Sequence, residues 1–412
     1  MNILVIAYAC EPDRGSEPGV GWNWVKLMAQ NENHHITVLT RANNKPVIEK
    51  YMNSHDDMKA EFIYYDLPRK ILKYKHGDRG IKLFFSLWQY GAIKYIQKNV
   101  NLSQFDCVWD FNFGSLNMPL FTYKLRKKYV IGPVSTKKKM PRAYIKEMGF
   151  KWRMKYAIQQ FMKEHLWSNP VVWKALKKAD RVILCNEMSR EFLPKCQRQK
   201  AQVIFHNGIV EEDYPRYEEK QTYGSKLELI YAGRLIDTKN LATAIRGLKI
   251  VKDCGRDFSF DIYGNGYLKE KLKKQVRELG LEKHIIFHDK VSQQQLFEEY
   301  VKKDCFLFPS LLEISSTAVM EAMYCGLIPI CLDIRCMEFI LNDSPVLRVP
   351  CISPEADAKA IAEMILTLEV SHIRQQKKAC YDYAKKHFVW ETRRKEIQLL
   401  LEQPDKIQET LG

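Results

Sequence analysis

Short apolar runs recur through this sequence at intervals wide enough for one helix, and they do so in two successive series. Ile3–Ala9, Ile36–Thr40, Glu61–Tyr65, Cys107–Phe111, Tyr129–Pro133, Val182–Cys185 and Gln202–Phe205 form the first series. Continuous apolar character, rather than alternation, marks strands covered on both faces, as in a parallel sheet. Segments between them, such as Gly21–Gln30 and Asn169–Lys178, have helical character. The polar stretch Glu211–Lys226 reads as a linker, after which come Leu227–Ala232, Phe258–Tyr263, Ile285–Phe287, Cys305–Pro309 and Ile328–Leu332. Two such series predict an α/β chain of two doubly wound domains facing each other across a cleft. The length of 412 residues agrees, since domains average roughly 150 residues.

Composition narrows the class. No apolar run reaches the roughly 18–20 residues needed to cross a bilayer, and the first residues lead straight into a strand, so neither a membrane-spanning nor a secreted chain is expected. Eleven cysteines are scattered without a Cys-x-x-Cys pair, several of them inside strands (Cys107, Cys185, Cys305, Cys331). This pattern points to reduced thiols in a cytoplasm rather than to disulfides or a zinc knuckle.

The formal charge of +16 is unevenly spread, because Lys124–Lys155 holds twelve Lys and Arg against the single acid Glu147, a net +11. Lys137, Lys138, Lys139 and Arg142 lie at its centre, interleaved with Met140, Tyr144, Met148, Phe150 and Trp152. An earlier stretch, Arg69–Lys98, repeats the mixture with Tyr74, Phe84, Phe85, Trp88 and Tyr90. Basic residues mixed with aromatics suit an anionic membrane surface. They also suit single-stranded nucleic acid, but no RNA-binding or helix-turn-helix signature accompanies them, and no nucleic acid partner is expected.

The second series carries the chemistry. Gly233-Arg234 follows a strand, and Lys239-Asn240 opens a helix. Cations at a helix start form a cradle for a diphosphate. Gly264-Asn265-Gly266 ends the next strand and permits close backbone approach to a ligand. Glu313 and Glu321 stand eight positions apart, the first in a loop and the second on a helix whose start is marked by Ser315, Ser316 and Thr317. A phosphate at that start meets free amides and the positive end of the helix dipole, and Glu321 is placed to accept from ribose hydroxyls.

Together these motifs resemble the retaining nucleotide-sugar glycosyltransferases of the GT-B fold, in the large family four (glycosyl transferases group 1, polysaccharide-biosynthesis type). Glu313 and Glu321 match its paired glutamates, followed by Ala322-Met323 and by Gly326-Leu327-Ile328-Pro329-Ile330. Arg234 and Lys239 resemble its diphosphate ligands, and Asn207-Gly208-Ile209 resembles the start of its second domain. Phe388-Val389-Trp390 resembles the point where its last helix returns to the first domain, and Gly15-Ser16-Glu17-Pro18-Gly19-Val20-Gly21-Trp22 its first glycine loop. The resemblance implies two Rossmann-like domains: an acceptor-binding domain 1–206 rejoined by 388–412, and a nucleotide-sugar domain 207–387. It implies that Arg234 and Lys239 neutralise the leaving diphosphate and that Glu321 holds the ribose. The backbone near His288–Val291 contacts the base, Glu313 positions the sugar, and Gly15, Gly264, Ser315, Ser316 and Thr317 complete the donor site. No Asp-x-Asp motif is present, so neither a metal nor another cofactor is expected.

The sequence departs from the family pattern in three places. Asp110 stands where the family carries a histidine at a strand end, and is the candidate to take over that role in the sugar site. Gly132-Pro133-Val134-Ser135-Thr136 replaces a glycine-rich segment, and Ser315-Ser316-Thr317 replaces the usual glycines between the glutamates. The function implied is transfer of a sugar from a nucleotide-sugar to a saccharide acceptor. A lipid-linked acceptor at the inner face of the cell membrane would account for the basic stretch, in biosynthesis of capsule, exopolysaccharide or lipopolysaccharide. A nucleotide-sugar epimerase and an inactive, membrane-bound scaffold are the alternatives. A nicotinamide-dependent oxidoreductase is excluded, because Cys10–Arg14 separate the first strand from Gly15 and the glycine spacing is wrong.

Overall fold

The computed structural model describes residues 1–14, 16–74, 80–111, 114–136, 139–215, 217–218, 224–334 and 337–402. Each apolar series forms its own all-parallel sheet. In the first, β1 (Asn2–Ile6), β2 (His35–Arg41), β3 (Ala60–Tyr65), β4 (Cys107–Asp110), β5 (Tyr129–Val134), β6 (Arg181–Leu184) and β7 (Gln202–Val203) lie in the order β3-β2-β1-β4-β5-β6-β7. Ile3 pairs with Ile36 on one side and Cys107 on the other, and Ile3 to Ile6 are fully buried. Burial on both faces is why this run shows no alternation. In the second, β8 (Leu227–Ala232), β9 (Phe258–Tyr263), β10 (Ile285–His288), β11 (Cys305–Phe308), β12 (Ile328–Leu332) and β13 (Leu347–Val349) lie in the order β10-β9-β8-β11-β12-β13. Strand order reverses between β1 and β4 and again between β8 and β11. In open α/β sheets, ligands bind beyond the strand ends at such a reversal.

The described chain divides into two compact units. One holds Met1–Thr136, Ala157–His206 and the chain from Arg393; the other holds 139–156 and Asn207–Thr392. Reading 1–206 as one continuous domain therefore fails for 139–156, which pack in the second unit because Tyr144 is buried there against Asp357 and Asn240. Helix Trp390–Glu402 reaches the first unit, where Arg181 donates to the Leu400 carbonyl at 3.5 Å. Within the second unit Ile209 bridges Val389, and a side chain at Gly208 would strike the Trp390 ring at 2.5 Å.

Three sequence readings change. Phe84, Phe85 and Trp88 are core residues: helix Ile81–Asn99 buries them with Ala92, Ile93 and Ile96, leaving Tyr74 and Tyr90 of that group exposed. The Glu211–Lys226 stretch is more than a linker, since Tyr214 stacks on Phe297 at 4.3 Å and Tyr217 on Tyr381 at 4.7 Å. Gly19 and Gly21 sit inside helix Ser16–Ala29 rather than in a loop. A Cβ on either would lie 1.8 or 2.0 Å from the Arg14 or Ala9 carbonyl oxygen, so glycine there lets the helix press against the chain that leads into it.

Candidate functional site

At the reversal of the second sheet, the ends of β8, β9 and β11 bring the sequence motifs together. Past β8, Gly233 donates to the Tyr263 carbonyl (3.0 Å) and Leu235 to that of Asn265 (2.9 Å). Gly264, with φ of 142°, lies so close that a Cβ would come 2.0 Å from the Gly233 oxygen. The two loops thus share one backbone shelf that no side chain at Gly264 could enter. Arg234 projects from this shelf, exposed and, among the described residues, without an ion pair. A one-turn helix, Asp237–Lys239, then ends at Asn240, whose left-handed φ of 56° starts helix Leu241–Asp253.

The loop after β11 folds onto that turn. Leu311 donates to the Thr238 carbonyl at 2.9 Å, and the Ser310 hydroxyl donates to Glu313 at 2.7 Å. Lys239 forms an ion pair with Glu313, their side chains only 14% and 13% exposed, and its ammonium stands 4.7 Å from the Phe308 ring centre. The two residues read separately from the sequence as diphosphate and sugar ligands therefore hold one another.

Helix Thr317–Tyr324 begins beside this pair with Ser316 at its N-cap, and no side chain caps it there. Asn207 instead reaches the Thr317 hydroxyl at 2.9 Å and the Ser315 hydroxyl at 3.5 Å. One turn on, the Glu321 carboxylate accepts from Tyr214 (3.2 Å) and from Gln293 (3.1 Å). Burial outweighs both hydrogen bonds and pushes the Glu321 carboxyl up to about 7. Gln293 opens the helix Gln293–Tyr300, which follows the His288–Val291 loop, so that loop and Glu321 are linked. The loop itself is fixed by His288, which lies 2.6 Å from Asp261 and stacks on Tyr263. Val291 is half-buried within it.

Asp110 does not occupy an open strand end. It is 1% exposed, Gln89 donates to both its oxygens at 3.1 and 2.9 Å, and the Thr122 hydroxyl donates to it as well. The geometry corrects the candidate sugar ligand to an internal tie between β4, helix Ile81–Asn99 and the Thr122 turn. Ser135 and Thr136, in the segment replacing the family's glycines, are buried too. Gly15, Lys137 and Lys138 lie outside the described residues. Lys139 and Arg142 are exposed, whereas Trp152 is half-buried and stacked on Tyr156 at 4.9 Å. Tyr214, Gln293 and Ser310 were missed by sequence reasoning, because each is an ordinary polar residue whose partner lies on another element.

Residues 215–387 match the model of the family described as glycosyl transferases group 1. A 148-residue stretch is 28% identical to the amylovoran biosynthesis glycosyltransferase AmsK of Erwinia amylovora, covering 34% of this chain and 36% of that protein. A 96-residue stretch is 27% identical to the 2-deoxystreptamine glucosyltransferase of Streptomyces kanamyceticus, covering 23% and 25%. The chain thus spans about a third or less of the length of these relatives. Among solved structures, sucrose-phosphate synthase of Thermosynechococcus elongatus aligns with a TM-score of 0.63 at 16% identity over 98% of both chains. Anabaena HepE, solved in complex with UDP, aligns with a TM-score of 0.59 at 16% identity over 97% of this chain and 99% of that one. WaaG, a glycosyltransferase involved in lipopolysaccharide biosynthesis, aligns at 0.60 with 13% identity over 98% and 100%. At such identities the likeness is one of fold, and the fold is GT-B.

Proposed function

We propose, from the match of residues 215–387 to the model of the glycosyl transferases group 1 family, that the chain moves a sugar from a nucleotide-sugar to a saccharide acceptor in cell-surface polysaccharide biosynthesis. The observation that carries this reading is the pairing of Lys239 with Glu313 at the sheet reversal, with Glu321 on the helix that follows the same loop. Breaking the bond between the anomeric carbon and the phosphate oxygen leaves its electron pair on the diphosphate. Arg234 and Lys239 stabilise that growing charge, and stabilisation of this kind usually contributes more to the rate than any other single effect. Glu313, released from Lys239 as the diphosphate takes its place, accepts hydrogen bonds from the sugar. Glu321 accepts from the ribose. Retention of configuration and independence from a metal follow from the family resemblance.

The acceptor we infer is lipid-linked, with the chain docked on the cytoplasmic face of an anionic membrane. Helix Phe150–Glu164 supports this better than the Lys137–Lys139 run. Phe150 (76% exposed), Met154, Ile158 and Phe161 form one bare stripe along it, continued by exposed Trp167 and flanked by Arg153 and Lys155. Each such side chain contributes about 1.5–3 kcal/mol when buried, and each cation about 1 kcal/mol near anionic lipid. Replacing Met154, Ile158 and Phe161 together by Ser is expected to weaken binding to phosphatidylglycerol vesicles by about 100-fold or more; undiminished sedimentation with the vesicles would refute the docking. Among the described residues no helix is long and apolar enough to cross a membrane.

Glu321 sets a pH dependence. A carboxyl raised to about 7 keeps its proton in the folded chain at pH values where the unfolded chain, near 4.5, has lost it. The stability it contributes is therefore complete below about pH 4.5 and gone above about pH 7. Affinity for a nucleoside diphosphate should move the opposite way, rising as the ribose-accepting carboxylate forms with a midpoint near 7. Titrations from pH 5 to 8 on wild type and Glu321→Gln measure this, and the component absent from the variant is the one expected.

Transfer itself is tested with UDP-, GDP- and CDP-sugars radiolabelled in the sugar, mixed with the protein and a bacterial lipid extract. Label is expected in the chloroform-soluble product, with free diphosphate released only when the extract is present. Diphosphate release independent of the extract, or interconversion of the sugar while it stays on its nucleotide, would replace transfer with hydrolysis or epimerisation.

A further inference from the structure

Residues 139–156 come from the first half of the sequence yet pack in the second unit. The short helix Arg142–Glu147 buries Tyr144 there. Its hydroxyl donates to Asp357 at 2.5 Å and accepts from the Asn240 side-chain amide at 3.3 Å. Asp357 is fully buried, and its other oxygen accepts from the backbone N–H groups of Ile352 (2.9 Å) and Ser353 (3.3 Å). Three residues beyond Tyr144, Glu147 pairs with Arg246 of helix Leu241–Asp253 at 3.6 Å. This arm is thus clipped to the helix that Asn240 begins.

Asn240 holds a left-handed conformation, with φ of 56°, that side-chain-bearing residues avoid. Its own N–H donates to the Asp237 carbonyl (3.1 Å), and its side-chain oxygen accepts from the Thr243 hydroxyl (2.8 Å). The remaining side-chain group, the amide nitrogen, donates to Tyr144. The reversal at Asn240 ends the Asp237–Lys239 turn and fixes where the preceding residue, Lys239, sends its ammonium: onto Glu313 and above the Phe308 ring.

We propose that Tyr144 is a positioning residue for Lys239. Through Asn240 it holds the turn in the shape that presents the ammonium to a nucleoside diphosphate, so an arm from the first half of the sequence completes the donor site. The proposal rests on the reading of Lys239 as a diphosphate ligand. It also assigns a task to Asp357, which keeps the Tyr144 hydroxyl anchored while the same oxygen faces Asn240. Charge on the acceptor strengthens such a hydrogen bond about twofold over a neutral one.

The test combines ligand-free hydrogen exchange of the amides 237–243 with titration of UDP, GDP and CDP. Tyr144→Phe is expected to speed that exchange and weaken diphosphate binding by about tenfold each. Asp357→Asn, which keeps the shape of the clip but neutralises its acceptor, should shift both in the same direction by about threefold; it also serves should Tyr144→Phe fail to fold. In an Asn240→Gly background, where the left-handed φ needs no support, Tyr144→Phe should have no further effect on affinity. A role in folding alone would persist in that background. Unchanged exchange and affinity in Tyr144→Phe, or an equal loss with and without Asn240→Gly, would overturn the proposal. If the wild-type chain binds none of the three diphosphates, the donor reading fails, while exchange at 237–243 still decides whether Tyr144 holds the turn.

Discussion

Lys239→Ala is expected to lower turnover by about 10²–10³-fold, the usual effect of removing one preorganised group that stabilises transition-state charge. An effect of this size is expected from the setting of the ammonium. Lys239 is held against Glu313 and over Phe308, with little exposure to water, where electrostatic interactions are strengthened. Glu313→Gln separates the roles of the pair. It removes the charge that Lys239 pairs with, so affinity for a sugar-free diphosphate should rise or hold while turnover falls. Lys239→Ala should weaken that same affinity. Titration of UDP, GDP and CDP beside initial rates reads both quantities. A parallel loss of diphosphate affinity in the two variants would mean that the pair is only a structural bond.

The second large effect falls on stability. Asp110→Ala removes the acceptor shared by Gln89 and Thr122 deep in the first unit. Leaving buried donors without partners costs about 1–3 kcal/mol each, so a loss of roughly 2–5 kcal/mol in denaturant unfolding is expected. Protein that remains folded should keep its turnover. Had Asp110 served the sugar site, turnover would collapse at unchanged stability, and that pattern would restore the catalytic role.

These two residues also show what the sequence could disclose. Glu313, Glu321, Arg234 and Lys239 could be singled out because each stands in a short local motif near a strand end, and the roles expected of them come from the family that those motifs resemble. Asp110 also sits at a strand end, but its meaning depends on Gln89, 21 residues earlier, which no local pattern reveals. The central strands could be read directly, since full burial leaves them uniformly apolar. β7 is shorter than the apolar run Gln202–Phe205 that announces it, and β13, with three residues, left too short a run to read.

The aromatic and basic stretches were ambiguous for a related reason. Phe84, Phe85 and Trp88 resemble Phe150, Met154 and Ile158 in composition, yet the first group is on the buried face of its helix and the second is bare. Tertiary packing decides between those outcomes. The arm 139–156 was not legible at all, because the contact that places it joins residues 213 positions apart.

The most direct measurement is calorimetric titration of UDP, GDP and CDP into the wild-type chain, Arg234→Ala and Glu321→Ala, with NAD as a control. One of the three diphosphates is expected to bind the wild type. Affinity should fall by about tenfold or more in each variant, and NAD should give no heat. Binding that is indifferent to both substitutions, or no binding of any diphosphate by folded protein, would contradict a donor site at the reversal between β8 and β11.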